Sequence, residues 1–193
     1  MAGLTNTKGG ATGPALALLE MRSIARGIRV CDETLKKASI QLLDARSLCP
    51  GKYMVLFAGP VAAVEESFKI GVEIGADMMI DELFLPNADL QLIPAMEACV
   101  VPPPIDALAV FETFTVASAI LAGDAAVKAA KTHLIEMRLA NGLGGKSFFT
   151  LTGTIADVEA AMEAGKKAIE HLGVLVGIEI IPRPHADLIR KVT

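Results

Sequence analysis

The sequence predicts an α/β (α+β) chain made of two tandem β-α-β-β-α-β units, each of the ferredoxin-like, split-βαβ kind. An internal repeat runs through nearly the whole chain. Within each copy, strand-like apolar runs and helical periodicity follow one another in the same order. A run of three prolines, Pro102-Pro103-Pro104, separates the copies as a stiff linker. The repeat is direct. Residues 15–46, ALALLEMRSIARGIRVCDETLKKASIQLLDAR, align without gaps with 107–138, ALAVFETFTVASAILAGDAAVKAAKTHLIEMR, and 11 of 32 positions are identical. Residues 51–71, GKYMVLFAGPVAAVEESFKIG, align with 145–165, GKSFFTLTGTIADVEAAMEAG, and 7 of 21 are identical. Between these blocks the second copy has RLANGLGGK where the first has RSLCPGK, a gain of two residues.

Each element has a local reason. The apolar runs 15–21 and 107–113 read as opening strands, and the periodic segments 24–38 and 116–130 as amphipathic helices. Strands 40–46 and 132–138 lead through glycine-rich turns to strands 52–58 and 146–152. Second helices follow Gly59 and Gly153 over 61–76 and 155–171, with Thr154 placed to cap the latter. Closing strands 78–85 and 174–181 end at Pro86 and Pro182. Both helices of a copy are expected on one face of its sheet. The domain reading is an N-terminal arm over 1–13, a first domain over 14–103 and a second over 104–193.

Composition narrows the function. The chain has 193 residues, 52% hydrophobic and 21% charged, with a net charge of −4. That excess of apolar residues excludes a disordered chain. The negative charge and the absence of a Lys/Arg block argue against a nucleic-acid partner. Charges or prolines interrupt every apolar run before the ~20 residues a membrane span needs. A mean hydropathy of +0.50 without a span implies surface that is covered by other subunits. The small, polar start MAGLTNTKGGATG does not read as an export signal. Three cysteines (Cys31, Cys49, Cys99) then point to a reducing cytoplasm rather than a disulfide framework. Cys31 reads as a core residue and Cys99 as incidental to function.

No catalytic constellation emerges, and the chain is expected not to be an enzyme. Ala140–Ser147, ANGLGGKS, fits a relaxed phosphate-loop pattern, but a strand follows its lysine where such loops need a helix. Glu20 and Glu112 occupy one repeat position, and Asp32 and Asp124 another. Repetition in both halves fits a structural role.

Several stretches carry a family resemblance: LLEMRSIARGI, DETLKKASI with DAAVKAAKT, GKYMVLFAG with GKSFFTLTG, and IPRPHADL. Over residues 15–192 the chain resembles the tandem-domain shell proteins of bacterial microcompartments, in the unpermuted arrangement. The resemblance implies a homotrimer that imitates a hexamer and tiles with hexameric shell proteins in the bacterial cytoplasm. The nearest subgroup is that of the trimeric shell proteins of propanediol-utilisation compartments, whose mark is a Cys-Pro-Gly-Lys turn. Here that turn is Cys49-Pro50-Gly51-Lys52. In the subgroup, one such cysteine per subunit faces a central pore, and three hold a [4Fe–4S] cluster. The chemistry is reasonable. Such a cluster usually takes four thiolates, and a threefold axis presents three, leaving one iron to another ligand.

The resemblance further implies a pore rim built from Ser47, Leu48, Pro50, Gly51 and Lys52, alternating with Asn141, Gly142, Leu143, Gly144 and Gly145. It implies tile-edge contacts by Lys36, Lys128, Arg183 and His185. Copy one has Pro86-Asn87-Ala88-Asp89 where copy two has Pro182-Arg183-Pro184-His185, so the edges are not all alike. A redox enzyme, encapsulated or cytosolic, would be the electron partner. Two alternatives stay open: a cluster-free tile whose pore conducts small metabolites, and a ferredoxin-like regulatory module that binds a small ligand.

Overall fold

The computed structural model describes residues 13–192. The arm expected over 1–13 therefore lies outside the described residues, Gly13 apart. The first domain runs β1 (Ala15–Met21), α1 (Ile24–Lys37), β2 (Gln41–Leu48), β3 (Lys52–Gly59), α2 (Val61–Gly75) and β4 (Met79–Leu85). A short helix, α3 (Leu92–Met96), follows. The second domain runs β5 (Ala107–Thr113), α4 (Val116–Ala129), β6 (His133–Leu139), β7 (Ser147–Gly153), α5 (Ile155–Ile169) and β8 (Leu175–Pro182), and ends in α6 (Ala186–Val192). The strands form two four-stranded antiparallel sheets, ordered β2-β3-β1-β4 and β6-β7-β5-β8. These are two ferredoxin-like domains in tandem. The two short helices α3 and α6 were not expected, because five or seven residues are too few for a periodic signal.

Local chemistry starts the helices. Ser23, Thr115 and Thr154 each stand in extended backbone, and their side chains accept from the N–H groups of Arg26, Ser118 and Asp157. Helices α2 and α5 tighten into 3-10 turns at 76–78 and 170–172 before their closing strands.

Strand alternation divides the core in two. Ala15, Ala17, Leu19 and Met21 of β1, with Val55 and Phe57 of β3, face Val30 and Val64 of α1 and α2. The alternate residues Leu16, Leu18, Met54 and Leu56 point to the opposite face. There they join a larger core with Phe111, Ile120 and Phe149 of the second domain. Helix α4 is therefore covered on both sides. Val116, Ala119, Ile120, Gly123 and Asp124 are all buried. Its sequence, VASAILAGDAAVKA, is apolar nearly all round, as such a position demands. Its counterpart α1, IARGIRVCDETLKK, remains amphipathic.

The second domain packs α4 closely on α5 through Gly165. A Cβ added there would sit 3.0 Å from the Ala122 carbonyl oxygen and 3.3 Å from the Phe111 ring. Phe111 in turn stacks on Phe149 at 5.0 Å between centroids. A Gly165→Val chain must separate backbone from backbone, so it is expected to lose about 1–3 kcal/mol, read as a lower denaturation midpoint. An unchanged midpoint would show that the helix pair yields freely.

Candidate functional site

Two hairpin turns meet at one place in the chain. In the first, Leu48 pairs with Lys52 across β2 and β3, leaving Cys49, Pro50 and Gly51 at the tip. Cys49, Pro50 and Gly51 are exposed, as is Ser47 beside them, and Leu48 is buried. The Cys49–Pro50 peptide bond is cis, and Gly51 has φ of 78°. The second turn joins β6 to β7. Gly142, Gly144 and Gly145 take φ of 70°, 64° and 92°, a succession of left-handed backbone that side chains resist. Asn141 is exposed and Leu143 half-buried. A Cβ on Gly145 would lie 3.1 Å from the Cys49 carbonyl oxygen, so the two turns touch.

Repeated ion pairs hold the bases of both turns. Lys52 Nζ donates to Glu20 Oε1 at 2.7 Å, and Lys146 Nζ to Glu112 Oε1 at 2.6 Å. The pairs match in chemistry but differ in setting, because the Glu20 side chain is 2% exposed and that of Glu112 36%. Arg46 ties the hairpins together. Its Nε donates to Asp44 Oδ2 at 2.6 Å, and its Nη2 donates to the Leu139 carbonyl of the other domain. Sequence reading passed over Arg46 as a functional residue. Recurrence of Glu20 and Glu112 was the available signal for the ion pairs.

The phosphate-loop pattern has no phosphate-loop geometry. Lys146 is held by Glu112 and runs directly into strand β7.

The four residues implied at tile edges lie in two settings. On α4, Lys128 Nζ bonds Asp124 Oδ2 at 2.6 Å and also the Asn87 carbonyl of the first domain. Asp124 Oδ1 accepts from the Asp89 N–H at 2.8 Å. Lys128 thus stands at the seam between the domains of one chain. On α1, Lys36 pairs among the described residues only with Asp32, which raises its pKa through their hydrogen bond and charge. Arg183 and His185 are exposed after β8, Arg183 in left-handed backbone with φ of 48°.

Among the described residues no group of three or more His, Cys, Asp or Glu is placed to hold a metal ion. Cys31 is buried on α1, where burial and then the Asp32 charge push its thiol pKa up. Cys99 is exposed in the linker, its Sγ 3.4 Å from the Glu97 carbonyl. Cys49 is the thiol at the meeting of the turns. By itself it is a single thiolate ligand, where a [4Fe–4S] cluster usually takes four.

Two domains of one fold, joined in tandem over a shared core with their hairpin turns gathered together, define a tandem-repeat protein with one composite turn site. The family model of the BMC domain matches twice, at residues 15–88 and 107–184. The chain is 35% identical over 177 residues to the bacterial microcompartment shell protein PduT of Citrobacter freundii, covering 92% of this chain and 96% of that one. It is 38% identical over 84 residues to the shell protein EutM of Salmonella typhimurium, covering 44% of this chain and 85% of EutM. A crystal structure of a microcompartments protein from Desulfitobacterium hafniense superposes with a TM-score of 0.87 at 43% identity, covering 92% and 99% of the two chains. The chain belongs to the BMC-domain family of bacterial microcompartment shell proteins. No helix among the described residues is long and apolar enough to cross a membrane.

Proposed function

We propose that this shell protein is a homotrimeric facet tile in the bacterial cytoplasm whose central pore holds a [4Fe–4S] cluster through the Cys49 thiolate of each subunit. The observation that carries the reading is the contact between the Cys49 turn and the glycine-rich turn of the second domain. Paired turns repeated around a threefold axis make a closed rim, with Cys49 exposed on it. Shell proteins of single-domain length, such as EutM, are suitable neighbours in the facet.

The chain's residues have separate tasks. Cys49 supplies a thiolate ligand. Gly145 lets the Cys49 backbone approach with no Cβ in the way, and Gly51, Gly142 and Gly144 take the positive φ that the turns need. Lys52 and Lys146, anchored on Glu20 and Glu112, fix the turns on their sheets. When bound, an iron–sulfur cluster supplies one-electron transfer, and at the rim its partner would be a redox enzyme on either side of the shell.

The test is iron content of anaerobically purified chain beside Cys49→Ala. About four irons per trimer, with visible charge-transfer absorbance lost in Cys49→Ala while the oligomer persists, is the expected result. Iron-free wild-type trimers that still form sheets would reject the cluster and leave the pore as a conduit for small metabolites.

A further inference from the structure

A cavity of about 230 Å3 lies between the two domains, beside the glycine-rich turn. Strands β2 and β3 and helix α3 form one side of it, and β6 forms the other. Much of its wall is apolar. Leu56 and Met137 are buried there, and Leu43 and Met96 are half-buried. This wall is not a repeated feature, because in the second copy Thr150 stands where Leu56 stands. The polar end is an ion pair. Arg46 uses Nε on Asp44 Oδ2 and Nη2 on the Leu139 carbonyl. Its Nη1 has no hydrogen-bond partner among the described residues, and neither has Asp44 Oδ1. An unused donor and an unused acceptor therefore belong to one half-buried pair that lines the cavity.

Size and charge limit what fits. An apolar cavity of about 150 Å3 takes benzene, so this one takes a molecule of about six to nine non-hydrogen atoms. Arg46 carries the one positive charge of the lining, and Asp44 and Glu97 carry negative ones. A carboxylate or phosphate therefore meets a net negative lining, with the guanidinium already paired at 2.6 Å. An alkylammonium meets the Arg46 charge and loses its hydration against the apolar wall. A neutral hydroxyl suits both unused atoms, since it accepts from Nη1 and donates to Asp44 Oδ1; a ketone or an ether lacks that proton. One hydroxyl is enough, because further ones would face Leu56 and Met137 without partners.

We propose that the cavity binds a short aliphatic monoalcohol of about five carbons, its hydroxyl on Arg46 Nη1 and Asp44 Oδ1 and its chain against Leu43, Leu56, Met96 and Met137. All of these residues belong to one chain, so the site depends neither on the trimer nor on the cluster. Arg46 also holds the Leu139 carbonyl, and Asn141 at the start of the glycine-rich turn lines the same cavity. An occupant thus rests against the brace between the two hairpins.

The test is an NMR titration of the full-length chain, read at isotope-labelled methionine methyls, with n-pentanol and then with pentanoate, n-pentylamine and glycerol. Saturable shifts centred on Met96 and Met137 are expected, with a dissociation constant for n-pentanol on the order of 1 mM and binding of the other three weaker by about tenfold or more. Met96→Trp fills the cavity and is expected to weaken n-pentanol by about tenfold, read at Met137. Asp44→Asn keeps an acceptor for Arg46 Nε but removes one negative charge. It is expected to weaken n-pentanol about threefold and to tighten pentanoate about tenfold, a reversal that an empty void filled by any solute would not produce. Circular dichroism checks that both variants are folded. Shifts spread over all the methionines without saturation would overturn the site, as would n-pentanol binding unchanged in Met96→Trp. A wild-type preference for pentanoate, n-pentylamine or glycerol would overturn the monoalcohol assignment.

Discussion

Lys52→Met is expected to lower the stability of the folded chain by about 3 kcal/mol, because it strands a buried carboxylate. Glu20 is 2% exposed on the outer face of β1, and Lys52 Nζ at 2.7 Å is its hydrogen-bonded partner. Removing the lysine keeps the methylene stem but leaves the charge in an apolar surround of Leu18 and Met54. Glu20→Leu in the same chain is expected to recover most of the loss, since replacing a buried pair with apolar groups is often neutral. The second copy provides the control. Lys146→Met is expected to cost no more than about 1 kcal/mol in dilute chain, because Glu112 reaches water. Urea unfolding of the four chains reads all of this. A loss from Lys52→Met as small as that from Lys146→Met would mean that Glu20 is not sealed from solvent.

Asp124→Ala is expected to cost about 2–3 kcal/mol, since it deprives a part-buried backbone donor and an ammonium of their shared acceptor. Asp124 Oδ1 holds the Asp89 N–H at 2.8 Å, and Oδ2 holds Lys128 at 2.6 Å. These bonds cross the seam between the domains. Hydrogen exchange should therefore quicken at the Asp89 amide before it does in the strands of either sheet. The equivalent change on α1, Asp32→Ala, is expected to fall within about 0.5 kcal/mol in dilute chain, as at other exposed positions. Equal losses at both positions would show that α4 owes nothing to its place between the sheets.

Much of the secondary structure was legible because its causes are local. The apolar runs Ala15–Met21 and Ala107–Thr113, the Thr154 cap, and the stops at Pro86 and Pro182 each act within a few residues. The repeat supplied the rest, since two readings of one unit correct each other. What escaped notice depends on distance in the chain. Arg46 reaches Leu139 across 93 residues, and nothing near Arg46 announces it. The resemblance implies Lys128 as a tile-edge residue, and nothing near it in the sequence announces that its ammonium also spans the domain seam. The short helices α3 and α6 lack the length that makes periodicity visible.

The candidate site divides the same way. Cys49, the turn glycines and the lysines that follow them are written in the sequence, because turn chemistry needs particular residues at particular places. Their meeting is not, because it depends on how two sheets face each other. By itself the sequence determined two copies of one unit, the order of their strands and helices, and an asymmetry of one thiol between equivalent turns. The tertiary structure alone decided that one copy's first helix is covered on both sides while the other's keeps an exposed face, and that one Glu–Lys pair is sealed while its twin is wet. The physical reason is that propensity and periodicity act through neighbours in the chain. Burial is set by whatever surface comes to lie on top, and here the second domain covers the first, while among the described residues nothing covers the outer face of the second sheet to the same extent.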